Sequence, residues 1–92
     1  MASRLEATIY GKVQGVAFRT FAAFEARRLG LVGTVQNSSG GSVIVIAEGE
    51  RTPLQSLLSR LSSGPSQSQV EHVDVRWSEV KGKGSFASFD IE

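Results

Sequence analysis

The spacing of apolar residues along this chain switches between two and three-to-four in a set order, and that order admits few folds. Leu5, Ala7 and Ile9 alternate with Glu6, Thr8 and Tyr10, the pattern of a half-buried strand. Phe18, Phe21, Ala22, Ala26 and Leu29 then fall on one stripe of a helix. Gly30 stands where the residue after a helix C-cap would, with Leu31 as its apolar contact, and Arg27 and Arg28 suit the negative helix end. Residues 32–37 and 43–47 read as two strands, and Ser38-Ser39-Gly40-Gly41-Ser42 joins them as a hairpin. In the second helix Thr52 is the expected N-cap, Pro53 the first helical residue and Gln55 the partner in a capping box. Leu54, Leu57, Leu58 and Leu61 form its stripe, and Gly64-Pro65 ends it. After a polar connector, Val73, Val75 and Trp77 alternate in a fourth strand. Lys81-Gly82-Lys83-Gly84 turns the chain, and Ala87, Phe89 and Ile91 mark a short last strand.

The order β-α-β-β-α-β with an added terminal strand predicts an α+β, ferredoxin-like split βαβ sandwich, with two helices on one face of an antiparallel sheet. A chain of 92 residues has room for one such two-layer core, so residues 1–92 are expected to form a single domain. If the third strand lies between the first and second, antiparallel to both, the first two run in the same direction. Their C-terminal ends then lie roughly 10 Å apart at one edge of the sheet. One of these ends opens into residues 11–19, and the other is Gln36-Asn37-Ser38.

Residues 11–19 read Gly-Lys-Val-Gln-Gly-Val-Ala-Phe-Arg and join a strand to a helix. Two glycines let a ligand approach the backbone, and converging N–H groups ahead of a helix suit an oxyanion such as phosphate. Arg19 would grip that oxyanion with a bidentate fork. Other function classes are disfavoured. The chain has no cysteine, hence no thiol nucleophile and no thiolate metal site. A net charge of +1 gives no broad field for steering a polyanion. No apolar run approaches the ~20 residues of a membrane span, and the N-terminal residues lack a signal peptide's apolar segment. A cytoplasmic, metal-independent protein is expected.

Residues 11–19 match the G-x-V-Q-G-V-x-F-R signature of acylphosphatases, and residues 30–37, Gly-Leu-Val-Gly-Thr-Val-Gln-Asn, match that family's G-L-x-G-x-V-x-N segment. Gly41-Ser42-Val43 and Glu48-Gly49 fall in register with it, and the resemblance runs from about Leu5 to the C-terminus. It implies hydrolysis of the carboxyl–phosphate bond of acyl phosphates, a reaction on acid anhydrides, without metal or cofactor. It also implies that Arg19 binds the phosphoryl group and that Asn37 orients the attacking water. The main-chain amides of Gln14, Gly15, Val16, Ala17, Phe18 and Arg19 would cradle the phosphate oxygens. The partner is then a small-molecule acyl phosphate, with no nucleic acid and no membrane, and the chain is expected to be a monomer.

Plainer readings stand beside these. Glycines between strand and helix are often only a tight turn, and a strand-end asparagine often serves a turn through its own side chain. Ser38 reads as a turn residue. His72, the only histidine, reads as a solvated side chain of the fourth strand. Trp77, Phe86 and Phe89 read as core or sheet edge, and Glu92 would meet Arg19 if the last strand reaches the site. RNA-recognition domains share the element order, but residues 42–47, Ser-Val-Ile-Val-Ile-Ala, supply no aromatic ring and no arginine for base stacking. A phosphate-sensing module without turnover is the other alternative.

Overall fold

The computed structural model describes residues 2–92. The elements are β1 (Ser3–Lys12), α1 (Phe18–Arg28), β2 (Val32–Asn37), β3 (Val43–Gly49), α2 (Arg51–Ser63), β4 (Gln69–Glu79) and β5 (Phe89–Ile91). Their order in the sheet is β4-β1-β3-β2-β5. Because β3 pairs antiparallel with both β1 and β2, those two strands run the same way, as expected. The period-two residues of β1 point inward: Leu5, Ala7 and Ile9 lie opposite Ala47, Val45 and Val43, and all six are buried. Ala22 and Ala26 of α1 and Leu54, Leu57 and Leu61 of α2 close the core from one face of the sheet. Small residues on α1 let that helix sit close to the strands it covers. Among the described residues no helix is long and apolar enough to cross a membrane.

The sheet is mixed rather than antiparallel, because β5 pairs parallel with β2. The reason lies in the crossing segment. β4 and β5 occupy opposite edges of the sheet, roughly 19 Å apart at four strand spacings. Residues 80–88 bridge that gap along the end where β1 begins and β3 finishes. There the buried Glu48 holds them: its Oε1 accepts the Ser85 N–H at 3.1 Å, while its Oε2 accepts Arg4 Nε at 2.8 Å. Having crossed at that end, the chain can only run back along β2 in the same direction. This carries the C-terminus to the opposite end of the sheet, where β1 and β2 finish.

Helix α1 ends as its sequence indicates. The Gly30 N–H donates to Arg27 O at 3.1 Å and the Leu31 N–H to Ala26 O at 2.9 Å, with Gly30 at φ +74°. This is a Schellman motif. Helix α2 starts two residues earlier than Thr52 indicates. Its N-cap is Glu50, with extended dihedrals and no side-chain capping hydrogen bond, so the Thr52–Gln55 capping box is not formed. Pro53 sits in the third helical position instead. It costs nothing there, since N–H groups of the first turn have no intrahelical acceptor.

Glu25 joins the two helices. It is buried on α1, accepts Arg28 Nη2 at 2.8 Å and lies 3.4 Å from Arg60 Nε of α2. Hydrogen bonding to Arg28 and the charges of Arg28 and Arg60 outweigh burial and hold its carboxyl below the usual 4.5. A carboxyl depressed in the folded state stabilises above its unfolded pKa, and that stabilisation disappears as pH falls through the folded value. Glu25→Gln is therefore expected to lower urea stability at pH 7. Parent and variant should converge in acid, below the folded pKa; an equal difference at both pH values would show a packing effect instead.

Candidate active site

Strand β1 changes register between Tyr10 and Gly11, which re-aims the chain as it leaves the sheet. Only glycine fits at position 11, where φ is +128° and a Cβ would lie 2.1 Å from Gln69 O. The loop that follows turns through Gly15 at φ +74° and Ala17 at φ +60°. Ala17 is the N-cap of α1 and a non-glycine residue in the left-handed region, a conformation costing about 1–3 kcal/mol. Val13 and Phe18, both buried, anchor the loop on either side of it. The first turn of α1 carries no acidic residue and its N-cap makes no side-chain hydrogen bond. Among the described residues, no main-chain or side-chain acceptor takes a hydrogen bond from the N–H groups of residues 14–19. A strained loop thus presents free N–H donors at a positive helix end.

Of these residues, Gly15, Ala17, Phe18 and Arg19 border a cleft of about 120 Å³. Val13, Gly15, Ala17, Phe18, Arg19 and Thr20 form one side of it, and Asn37 and Ile91 close it from the ends of β2 and β5. The structure therefore brings Gly15, Ala17, Phe18, Arg19 and Asn37 to one place, whereas Gln14 and Val16 do not line the cleft. Val16 packs against the core. A larger depression of about 240 Å³ lies over β1 and β4, with Glu6, Thr8, Asp74, Val75 and Arg76 around it. Two carboxylates to one arginine make it a poor anion site. His72 sits elsewhere on β4, exposed, 2.6 Å from Asp74 Oδ1 and stacked on Tyr10.

Gln14 does something its sequence position does not reveal. Its amide nitrogen donates to Ser38 O and to Ser42 O, each at 2.8 Å, and so ties the loop to the β2–β3 hairpin. Ser38 Oγ meets Ser42 Oγ at 2.5 Å, and the Ser38 N–H donates to Ser42 O, which closes the hairpin turn as expected for that residue. Since Asn37 precedes Ser38, Gln14 holds the two halves of the cleft in register. Gln14→Leu removes both hydrogen bonds while keeping the bulk. The expected cost is about 1–3 kcal/mol in urea unfolding, together with a lower kcat; unchanged values of both would leave Gln14 without this role.

The last strand completes the cleft. The Glu92 N–H donates to Val35 O at 2.8 Å, and Arg19 Nη1 donates to the main-chain oxygen of Glu92 at 2.9 Å. The contact suspected between Glu92 and Arg19 thus forms through the main chain. It orients the guanidinium and leaves its remaining N–H groups for a ligand.

Comparison with known proteins gives the same overall fold. A family model described as acylphosphatase matches residues 5–91. An acylphosphatase of Dehalococcoides mccartyi is 46% identical over 89 residues, covering 96% of each chain. One of Salinibacter ruber is 49% identical over 77 residues, covering 84% of this chain and 81% of the relative. The crystal structure of acylphosphatase from Bacillus subtilis superposes with a TM-score of 0.91 at 32% identity, covering 98% of both chains. With a family model matched over residues 5–91 and relatives matched along nearly the whole length of the chain in sequence and in fold, this chain belongs to the acylphosphatase family.

Proposed function

We propose that the cleft hydrolyses the carboxyl–phosphate anhydride of a small-molecule acyl phosphate, with the Arg19 guanidinium and the main-chain amides of Gly15, Ala17, Phe18 and Arg19 binding the phosphoryl group and Asn37 orienting the water. The observation that carries this reading is the row of unpaired N–H donors beside Arg19 and across from Asn37. An acyl phosphate expels a carboxylate, a good leaving group, so the reaction needs no strong general acid. A loose phosphoryl transition state needs its spread negative charge stabilised and its nucleophile placed. Fixed amides and one guanidinium supply the first, and a side-chain amide the second. The water oxygen bonds to phosphorus as the bond to the carboxylate oxygen breaks. One water proton passes to a phosphoryl oxygen, so an acyl phosphate dianion and water yield a carboxylate and dihydrogen phosphate. No step requires a metal or an organic cofactor.

The same reading takes residues 1–92 as one catalytic domain that works in the cytoplasm as a monomer. Lack of cysteine fits a reducing compartment, and a site built within one chain needs no second copy. Phosphate release from a synthetic acyl phosphate, with a chelator present, tests the reading. Steady turnover is expected. Phosphate binding without turnover would favour the sensing module instead.

A further inference from the structure

We infer that Ile91 forms the subsite for the acyl group and biases the enzyme toward acyl phosphates with an apolar body. The inference rests on the phosphoryl-binding reading of the loop. Once the phosphoryl group is held against the amides, the acyl group must leave the cleft through its mouth. Val13 and Phe18 are buried and form the floor. The exposed residues of the lining are Gly15, Ala17, Thr20, Asn37 and Ile91, and these form the mouth. Gly15 and Ala17 offer little surface, while Thr20 and Asn37 are polar. Ile91 alone among them presents a large apolar side chain, 42% exposed although it lies next to the polar machinery.

Its position is well determined. Ile91 pairs with Val35 in the parallel β2–β5 ladder, and Glu92 beyond it is fixed by Val35 O and Arg19. The side chain is thus a firm lip rather than a mobile terminus. An acyl group larger than acetyl would cover it and remove apolar surface from water. Acetyl phosphate, with a single methyl group, would gain little. The contact is made with the acyl group in both ground and transition states, so it should act mainly on KM.

The test compares kcat/KM for benzoyl phosphate and acetyl phosphate, with the inhibition constant of inorganic phosphate as control. Ile91→Thr keeps β-branching, and hence strand propensity, while removing apolar surface. It should lower the benzoyl-to-acetyl ratio about threefold to tenfold, chiefly through KM for benzoyl phosphate. Ile91→Phe enlarges the lip and should raise the ratio. The phosphate inhibition constant should move far less than the ratio. A ratio unchanged in both variants overturns the proposal. So does an equal loss for both substrates and phosphate, which would mean that Ile91 only positions Arg19 through Glu92. A parent that binds phosphate yet hydrolyses neither substrate overturns the hydrolytic reading itself, and the Ile91 subsite with it.

Discussion

Arg19→Ala is expected to lower kcat/KM for an acyl phosphate by about a thousandfold, with a parallel weakening of inhibition by inorganic phosphate. Arg19 is the only charged side chain that lines the cleft among the described residues, so nothing nearby can replace its positive charge. The amides of the loop carry only partial charges, and they cannot move toward phosphate oxygens as charge builds. Arg19 also stands in the first turn of α1, where the helix end adds to its field. Arg19→Lys should recover little of the loss. One Arg19 N–H already bonds to Glu92 O at 2.9 Å, and a single ammonium cannot hold that contact and a two-point grip on phosphate together. Urea unfolding of both variants separates chemistry from the loosening of β5. Activity of Arg19→Ala within about tenfold of the parent would remove the guanidinium from the mechanism.

What the sequence could reveal of this site follows the range of the interactions involved. The strand-to-helix loop, the Schellman ending at Gly30 and the leucine stripe of α2 depend on neighbours within a turn or two. Residue spacing displays them directly. The direction of β5 depends on where residues 80–88 cross the sheet, and that route is set by Glu48, Arg4 and Ser85, which lie far apart in sequence. Three alternating residues carry no such information, so an antiparallel sheet is expected and a mixed one found. The start of α2 misleads for a local reason, since proline is tolerated throughout a first turn and Thr52-Pro53 matches a cap two residues late. Gln14 stands within a recognisable motif, yet its side chain acts on acceptors 24 and 28 residues away. The pairing of Arg19 with Asn37 is legible twice, in the two family motifs that end on these residues and in the element order, which fixes which strand ends share an edge. Ile91 had no local signal, because an apolar residue at a strand end reads as core until the edge position of β5 is known.

Asn37→Ala should lower kcat by about a hundredfold to a thousandfold while leaving phosphate inhibition close to that of the parent. The argument is one of separation. Asn37 reaches the cleft from β2, whereas the donors proposed to bind the anion all belong to the loop and first turn at residues 14–19. On the proposed mechanism, deleting it would remove the group that places the nucleophile and leave the cradle whole, so turnover should fall and ground-state binding survive. Loss of Arg19 should instead affect both. Asn37→Asp sharpens the test, since a carboxylate accepts a hydrogen bond from water but repels the phosphoryl dianion. It should not restore the rate, and it should weaken phosphate binding where Asn37→Ala does not. Full rescue by aspartate, accompanied by a new carboxylate-like limb in the pH–rate profile, would mean that the water needs a base. The proton transfer to a phosphoryl oxygen would then be wrong.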